Sequence, residues 1–242
     1  MPLNRKTVEK EVASFKKDGR KRFDDALSAL IALGYSRSDL GDNFLWESDP
    51  TLNEKALAIC REMSEKLVAD ARARAEYTCE SLDYYDFDAA WDMVEDEALE
   101  SFDMEGSHLL SLLEIWLAIA FAKGLTEAYL KITILRYIGD PYASPLWGGL
   151  PGGLLAWGKG YRKNIIDQIG IIGQNAIITV SDHAEFVDAV AKGATYYIRH
   201  RGSDFLCLEC DMLCEYPIPI ENELGPTHAN CMCWNEYFYE PL

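Results

Sequence analysis

The sequence lacks the two kinds of apolar segment that direct a chain to a membrane. Residues 1–22 carry eight Lys and Arg side chains and no apolar run, so we expect no signal peptide. The longest apolar stretch, Leu109–Ala122, is interrupted by Glu114 and is shorter than the ~18 uninterrupted apolar residues that a membrane span needs. We therefore expect a soluble, cytosolic chain with no membrane partner.

Basic residues are scarce in the chain as a whole. The 242 residues include 23 Lys and Arg against 40 Asp and Glu, a formal net charge of −17. A protein whose main task is to coat nucleic acid needs an excess of basic residues, so this class is excluded. Nucleic acid is expected to be contacted only indirectly or through the basic N-terminal arm, residues 1–22.

The charges are unevenly distributed. The basic arm holds eight basic and three acidic residues, whereas residues 76–105 hold twelve acidic and no basic ones. Such a charge run is typical of a solvated helix face. The alternatives are a docking surface for a basic partner and self-assembly between the basic arm and this acidic segment.

Nucleotide-binding motifs are absent as well. The segment from Trp147 to Gly160 contains six glycines in fourteen residues, but it matches neither a Walker motif nor a dinucleotide-binding fingerprint. Glycine weakens helix and strand alike, so residues 141–163 are predicted to be a hinge. This hinge divides the chain into a helical region for docking and assembly, residues 1–140, and an α+β zinc-binding domain, residues 164–242.

Apolar residues at three-to-four spacing predict helices through the first region. Five helices are expected. The first ends at Gly34 and has a break near Gly19, the second is capped by Asp49 before Pro50, and the third spans about Phe87–Phe102. The fourth is capped by Ser107 and runs to Gly124, and the fifth is capped by Thr126. The last two are apolar almost all round, so self-association through helices 107–138 is possible.

After the hinge the pattern changes from helix to strand. A helix around residues 165–176 is expected, followed by a second one that is capped by Asp182 and ends at Gly193. Three strands are expected near residues 195–200, 214–220 and 232–239. The predicted fold class is therefore mostly α, with an N-terminal helical region and a small C-terminal α+β unit that is held by a zinc site.

Five of the seven cysteines lie between Cys207 and Cys233. Cys207-x-x-Cys210 is a closely spaced pair, and seventeen residues separate it from His228-x-x-Cys231-x-Cys233. Two short-spaced ligand groups separated by a loop of this size are typical of a structural zinc site in a cytosolic protein. A small three-stranded unit is short of core and gains folding free energy from such a metal.

Six side chains compete for the four positions around a zinc ion. They are Cys207, Cys210, Cys214, His228, Cys231 and Cys233. The first pair is the safest, and Cys231 and Cys233 point to one face if they lie on a strand. Both of them, or one of them with His228, would complete the site, and Cys214 is the expected spare. The alternative is a group of buried cysteines that pack as small hydrophobic side chains.

The segment Tyr196–Tyr237 resembles the C-terminal signature of the phage Mu F-like minor head protein (head morphogenesis) family. The matching residues are Ile198, Cys207, Cys210, Leu213, Pro217, Pro226, His228, Asn230, Cys231 and Cys233. The run Pro-x-His-x-Asn-Cys-x-Cys is the most specific part. The chain departs from the family pattern at Cys214, where a glycine is usual, and at Met232, where arginine is common.

The resemblance implies a non-enzymatic phage or prophage protein of virion assembly. Such a protein would associate with the portal or capsid, in the host cytoplasm during assembly and then in the virion. A second hypothesis is a zinc-containing nuclease or effector of the ββα-metal type, because His200 lies at a strand end, with six residues between it and Cys207.

Overall fold

The computed structural model describes residues 3–136, 152–202, 208–223 and 231–241. It consists of six α-helices and three short strands within these ranges, with two turns of 3-10 helix between the first two α-helices. The elements are α1 (Arg5–Tyr35), α2 (Pro50–Cys79), α3 (Phe87–Ala122), α4 (Glu127–Arg136), α5 (Gly152–Ala191), β1 (Tyr196–His200), α6 (Leu208–Leu213), β2 (Pro217–Pro219) and β3 (Trp234–Phe238). The predicted fold class, mostly α with a small C-terminal α+β unit, is confirmed.

Two of the predicted helix starts are confirmed by their capping bonds. The carboxylate of Asp49 accepts hydrogen bonds from the backbone N–H groups of Thr51 and Leu52, at 2.9 and 3.2 Å, ahead of the first turn of α2. The hydroxyl of Thr126 accepts one from the N–H of Tyr129 at 3.3 Å. Each cap satisfies backbone donors that have no partner within the helix itself.

Three predicted helix breaks are wrong. Helix α1 continues through Gly19, α3 runs unbroken through Ser107, and α5 runs unbroken through Asp182. Ser107 does not cap a helix, because its hydroxyl donates to the carbonyl of Asp103 one turn earlier, at 3.1 Å. A serine or glycine inside a long helix costs less than the packing of the buried face on either side gains, so the local signal is overridden.

The predicted hinge differs from the observed chain in its second half. Helix α5 begins at Gly152, so the part of the segment 141–163 from that residue onward is helical. Residues 141–151 lie outside the described part of the chain. Self-association through helices 107–138 and the proposed division into domains remain predictions.

The chain divides into two compact units that do not follow the sequence order. One unit contains residues 1–17, 68–99 and 171–242, and the other contains residues 18–67 and 100–170. Four of the long helices therefore contribute one part to each unit.

The core of the second unit is built from the apolar faces of α1, α2 and α3. Trp46 is buried there, and its indole N–H donates to the carbonyl of Leu110 at 3.1 Å. The carboxylate of Glu114 accepts the backbone N–H of Trp46 at 3.0 Å. These two bonds fix the connection between α1 and α2 against α3.

Helix α3 is the one helix of the described chain whose length and composition would allow it to cross a membrane. Half of its most apolar window is buried inside the protein, as in the core helix of a soluble protein. The finding is therefore weak evidence for a membrane span, and the expectation of no membrane partner remains a prediction.

The first unit carries the sheet. Its strand order is β2-β1-β3, with both pairs antiparallel, and β1 pairs with β3 from Tyr196↔Phe238 to His200↔Trp234. All three strands fall within the predicted segments. The buried Tyr197 of β1 meets Phe186 of α5, with ring centroids 6.4 Å apart, so this contact packs the sheet against the helix.

Helices α1 and α5 approach closely where Gly173 faces Phe15 in the same unit. A methyl group at Gly173 would overlap the buried ring of Phe15. Gly173→Ala is therefore expected to lower the free energy of unfolding by about 1–3 kcal/mol, although alanine is ordinarily the better helix former. Urea denaturation measures the change. A larger stability for Gly173→Ala, or full additivity with Phe15→Leu, would contradict this packing.

Candidate metal centre

Four cysteine side chains of the first unit form a buried cluster next to the sheet. They are Cys210, Cys214, Cys231 and Cys233, each no more than 3% exposed. The first lies on α6, the second directly follows that helix, and the other two lie just before β3. The thiols are therefore brought together by α6 and by the segment that leads into β3, two elements that are separated in the sequence.

Local backbone geometry explains why each pair faces the cluster. Cys210 and Cys214 are one helical turn apart, and the backbone N–H of Cys214 donates to the carbonyl of Cys210 at 2.9 Å. Cys231 and Cys233 are two residues apart at the entry to a strand, where alternate side chains share a face. The predicted pair Cys231 and Cys233 thus shares a face, whereas Cys207, the predicted partner of Cys210, lies outside the described residues and Cys214 takes the place beside Cys210.

The distances suit a single metal ion. The Sγ atoms of Cys210, Cys231 and Cys233 all lie within 4.8 Å of one another. Cys210 Sγ and Cys231 Sγ are 4.0 Å apart, and Cys214 Sγ and Cys233 Sγ are 3.9 Å apart. Four sulfurs at about 2.3 Å from a tetrahedral centre are about 3.8 Å apart. These three cysteines can therefore hold a metal ion.

The electrostatics of the cluster favour a bound cation. The neighbouring Cys231 thiol and burial both raise the pKa of Cys233, and burial raises the pKa of Cys214. Deprotonating several buried thiols side by side is costly without a positive charge between them, and a metal ion supplies that charge. The backbone N–H of Gly202 bonds to Cys233 and lowers its pKa in part.

Gly202 also permits the close backbone approach around these thiols. A Cβ at this position would overlap the carbonyl group of Met232, which lies between the last two cysteines. The same carbonyl accepts a hydrogen bond from the guanidinium of Arg5 at the start of α1. The N-terminal helix therefore helps to fix the backbone that presents Cys231 and Cys233.

The sequence analysis missed Arg199, which belongs to this site. Arg199 is fully buried, on the same inward face of β1 as Tyr197, and its Nη2 donates to Cys231 Sγ at 3.7 Å. A guanidinium in this place stabilises negative charge on the sulfur. The signal that could have found it is a charged residue at an inward position of an alternating strand.

The predicted ligands are placed as follows. Cys210, Cys231 and Cys233 come together, whereas Cys207 and His228 lie outside the described residues. Cys214, the expected spare, is buried beside Cys233 but is not one of the three mutually close thiols. The two helix cysteines, Cys60 and Cys79, are buried elsewhere.

His200 is the last residue of β1 and has partners of its own. Its Nε2 is 3.0 Å from a Glu236 carboxylate oxygen, and its Nδ1 is 3.3 Å from one of Glu215. Its ring also packs on Trp234, with centroids 4.4 Å apart. These contacts hold the imidazole between two carboxylates at the end of the sheet.

Comparisons of the chain with protein-family models, with curated proteins and with solved structures find no match.

Proposed function

We propose that the chain is a non-enzymatic minor head protein of a tailed phage or prophage, whose C-terminal unit is stabilised by a structural zinc ion. The observation that carries the proposal is the convergence of Cys210, Cys231 and Cys233 to within 4.8 Å. These residues belong to the cysteine–histidine pattern that resembles the Mu F-like signature. Two observations thus support the proposal, namely the specific run Pro-x-His-x-Asn-Cys-x-Cys and the close approach of three cysteines that can hold a metal ion.

Zinc is the metal that this donor set favours. Soft thiolates select zinc, copper(I) or iron–sulfur clusters. Four buried ligands in a tetrahedral arrangement are typical of structural zinc, an ion that has no redox chemistry. The fourth ligand comes from Cys207, Cys214 or His228. A closed set of four leaves no open coordination position, so the ion holds the fold together and performs no chemistry.

The small size of the sheet explains why a metal is needed. Strands β1 and β3 are five residues long and β2 has three. Two or three such short strands cannot bury enough apolar surface to be stable alone. Packing on α5 and a metal clip between α6 and β3 together supply what the sheet lacks.

The charged helical surfaces support a docking role. Lys6, Lys10 and Lys17 are exposed and share one face of α1 at helical spacing. The exposed acidic residues Asp92 and Asp96 lie on α3. A partner in the virion, either the portal or the capsid protein, would meet such surfaces through complementary charge.

Binding to the portal tests the proposal. Co-expressed with the portal and major capsid proteins of the genome that encodes it, the chain is expected to co-sediment with one of them in a gradient. The triple variant Lys6→Glu, Lys10→Glu, Lys17→Glu is expected to weaken that association strongly if the basic face docks. Lys55→Glu, an exposed charge reversal on α2, is the matched control. A monodisperse monomer that binds neither protein would contradict the proposal.

The nuclease hypothesis requires a different result. A ββα-metal nuclease would cleave DNA with added magnesium or manganese and would lose that activity in His200→Ala. The contacts of His200 with Glu215 and Glu236 make it the residue to replace first. No cleavage with either ion by the zinc-loaded chain would remove this hypothesis and leave the assembly role.

A further inference from the structure

A cavity of about 410 Å³ lies in the first unit and is not used by the metal centre. It is bounded by the N-terminal end of α1, the second half of α5, and β3 with the residues that follow it. Its volume is in the range of sites that bind small molecules or single side chains. The question is which chemistry its walls accept.

Two buried oxygen atoms among the lining residues have no hydrogen-bond partner within the described chain. They are Oδ2 of Asp182 and Oδ1 of Asn235. Asn235 is 6% exposed, and its amide nitrogen is already directed to the hydroxyl of Tyr237, at 3.4 Å. Both oxygens are acceptors, whereas the Nε of Arg5, another buried atom of the lining residues without a hydrogen-bond partner, is a donor.

The charges in the cavity wall are only partly balanced. Asp188 is fully engaged, because it accepts from Lys192 Nζ at 2.7 Å and from the backbone N–H groups of Asp83 and Tyr84 at 3.0 Å. Glu236 is paired with His200, as described above. Asp182 and Glu185 are the remaining lining carboxylates. Among the lining cations, Arg5 is the one whose charge acts to lower their pKa values, against the effect of burial.

Arg5 compensates these two carboxylates only in part. Its guanidinium donates to the carbonyl of Met232, and its Nε lies 3.8 Å from a carboxylate oxygen of Glu9. Burial raises the pKa of Asp182 and of Glu185 to about 7. Arg5 opposes this at both groups, and Arg199 also opposes it at Asp182, but only in part. A further positive charge inside the cavity would favour the ionised form of both groups.

Part of the cavity lining is aromatic. Trp234, Tyr237 and Tyr239 line the cavity, and Tyr239 is half exposed. Aromatic faces attract organic cations and exclude water from their carboxylate partners. Within the described residues, the set of closely grouped metal-binding side chains is the cysteine cluster and does not include these carboxylates. An organic cation therefore suits this cavity better than a bare metal ion.

We propose that this cavity binds a guanidinium or ammonium group, which pairs with the carboxylates of Asp182 and Glu185 and packs against the aromatic residues that line it. The group belongs either to a free small amine or to a basic side chain of a partner protein. The proposal does not depend on the assembly role or on the identity of the metal.

Calorimetric titration with two matched probe pairs tests this site. Butylguanidinium is compared with butylurea, and N-acetylarginine amide with N-acetylcitrulline amide, so that each neutral probe has nearly the same shape as its cation. Both cations are expected to bind and both neutral probes are not. Binding of the arginine amide alone assigns the site to a partner's side chain, and equal binding of the two cations shows that the charged group is sufficient.

Substitutions locate the binding. Asp182→Asn and Glu185→Gln are each expected to weaken the cation about 10- to 100-fold, because each removes a charged partner. Asp167→Asn, an exposed position on the same helix, is the control and should bind like the original chain. Thermal melting and zinc content of each variant confirm that the fold and the thiol cluster are intact. No binding by either cation, equal binding of the neutral probes, or unchanged affinity in both cavity variants would overturn the proposal.

Discussion

Replacing Cys233 by serine is expected to reduce bound zinc from about one equivalent per chain to none, and to unfold the segment that carries β1, α6 and β3. Cys233 is 3% exposed, belongs to the mutually close trio, and lies 3.9 Å from Cys214. A serine hydroxyl is a poor ligand for zinc. Without the Cys233 thiolate the four-ligand site no longer holds the metal ion, and the remaining buried thiols lose the positive charge that stabilises them.

The effect is expected to be large because metal binding and folding are coupled in small thiolate sites. Structural zinc contributes about 10–16 kcal/mol of apparent binding free energy in isolated zinc fingers. In this longer chain α5 remains packed within its own helical surroundings, so the loss is confined to the sheet and its connections. Elemental analysis of protein purified without chelator measures the zinc, and hydrogen exchange of the β1–β3 amides measures the unfolding.

Cys60→Ser is the matched control for this substitution. Cys60 is also buried, but burial raises its pKa to about 12 and its thiol donates to the carbonyl of Gly106 at 3.5 Å. It therefore remains a protonated thiol, and its replacement should leave the zinc content unchanged. Chelator treatment followed by added zinc should unfold and restore the original chain. Full zinc content and an intact sheet in Cys233→Ser would contradict a structural metal held by this residue.

Local signals were sufficient to predict the elements that begin and end with specific chemistry. Asp49 and Thr126 were recognised as caps because their side chains bond to backbone donors a few residues further on, which depends on neighbouring residues alone. The end of α5 was predicted from Gly193, whose φ of +85° is accessible to glycine at little cost. The first strand was predicted from its β-branched and aromatic residues, which is also a local signal.

The continuity of the long helices could not be read from the same signals. Gly19 and Ser107 are residues that locally disfavour a helix. Buried apolar residues precede and follow each of them in the same helix, and the packing of those residues outweighs the local cost in helix stability. The division into two units was also hidden, because it depends on which halves of four helices pack together. Such contacts join residues far apart in sequence and leave no periodic trace.

At the candidate site, too, short spacings in the sequence were informative, whereas contacts between residues far apart in the sequence could not be predicted. Spacing predicted Cys210 as a ligand and left open whether both Cys231 and Cys233, or one of them with His228, would join it. The sulfurs of Cys210, Cys231 and Cys233 lie within 4.8 Å of one another. Spacing could not show that Cys214 lies beside Cys233, since that depends on how α6 is oriented against β3. It also could not assign Arg199 a partner, because the thiol that it contacts is 32 residues away.

Replacing Arg199 by methionine is the second change with a large expected effect. Arg199 is fully buried and donates to Cys231 Sγ at 3.7 Å, and the charge of Asp182 acts on the same guanidinium. Methionine fills a similar volume but removes the positive charge, so Asp182 and the thiolates would be left with less compensation. Breaking a buried charge pair by removing one partner costs about 3–5 kcal/mol. Urea denaturation of the zinc-loaded protein should show a loss of this size.

Arg199→Lys separates the charge from the geometry. Lysine keeps the positive charge but lacks the planar fork of the guanidinium, so it should recover part of the stability and less of the zinc affinity. Competition with a chromophoric chelator measures that affinity, which is expected to fall in the order Arg, Lys, Met because a cation beside Cys231 favours its thiolate form. Equal zinc affinity in all three proteins would show that Arg199 supports the packing of β1 alone. Equal stability in all three would show that its charge is not needed in this core.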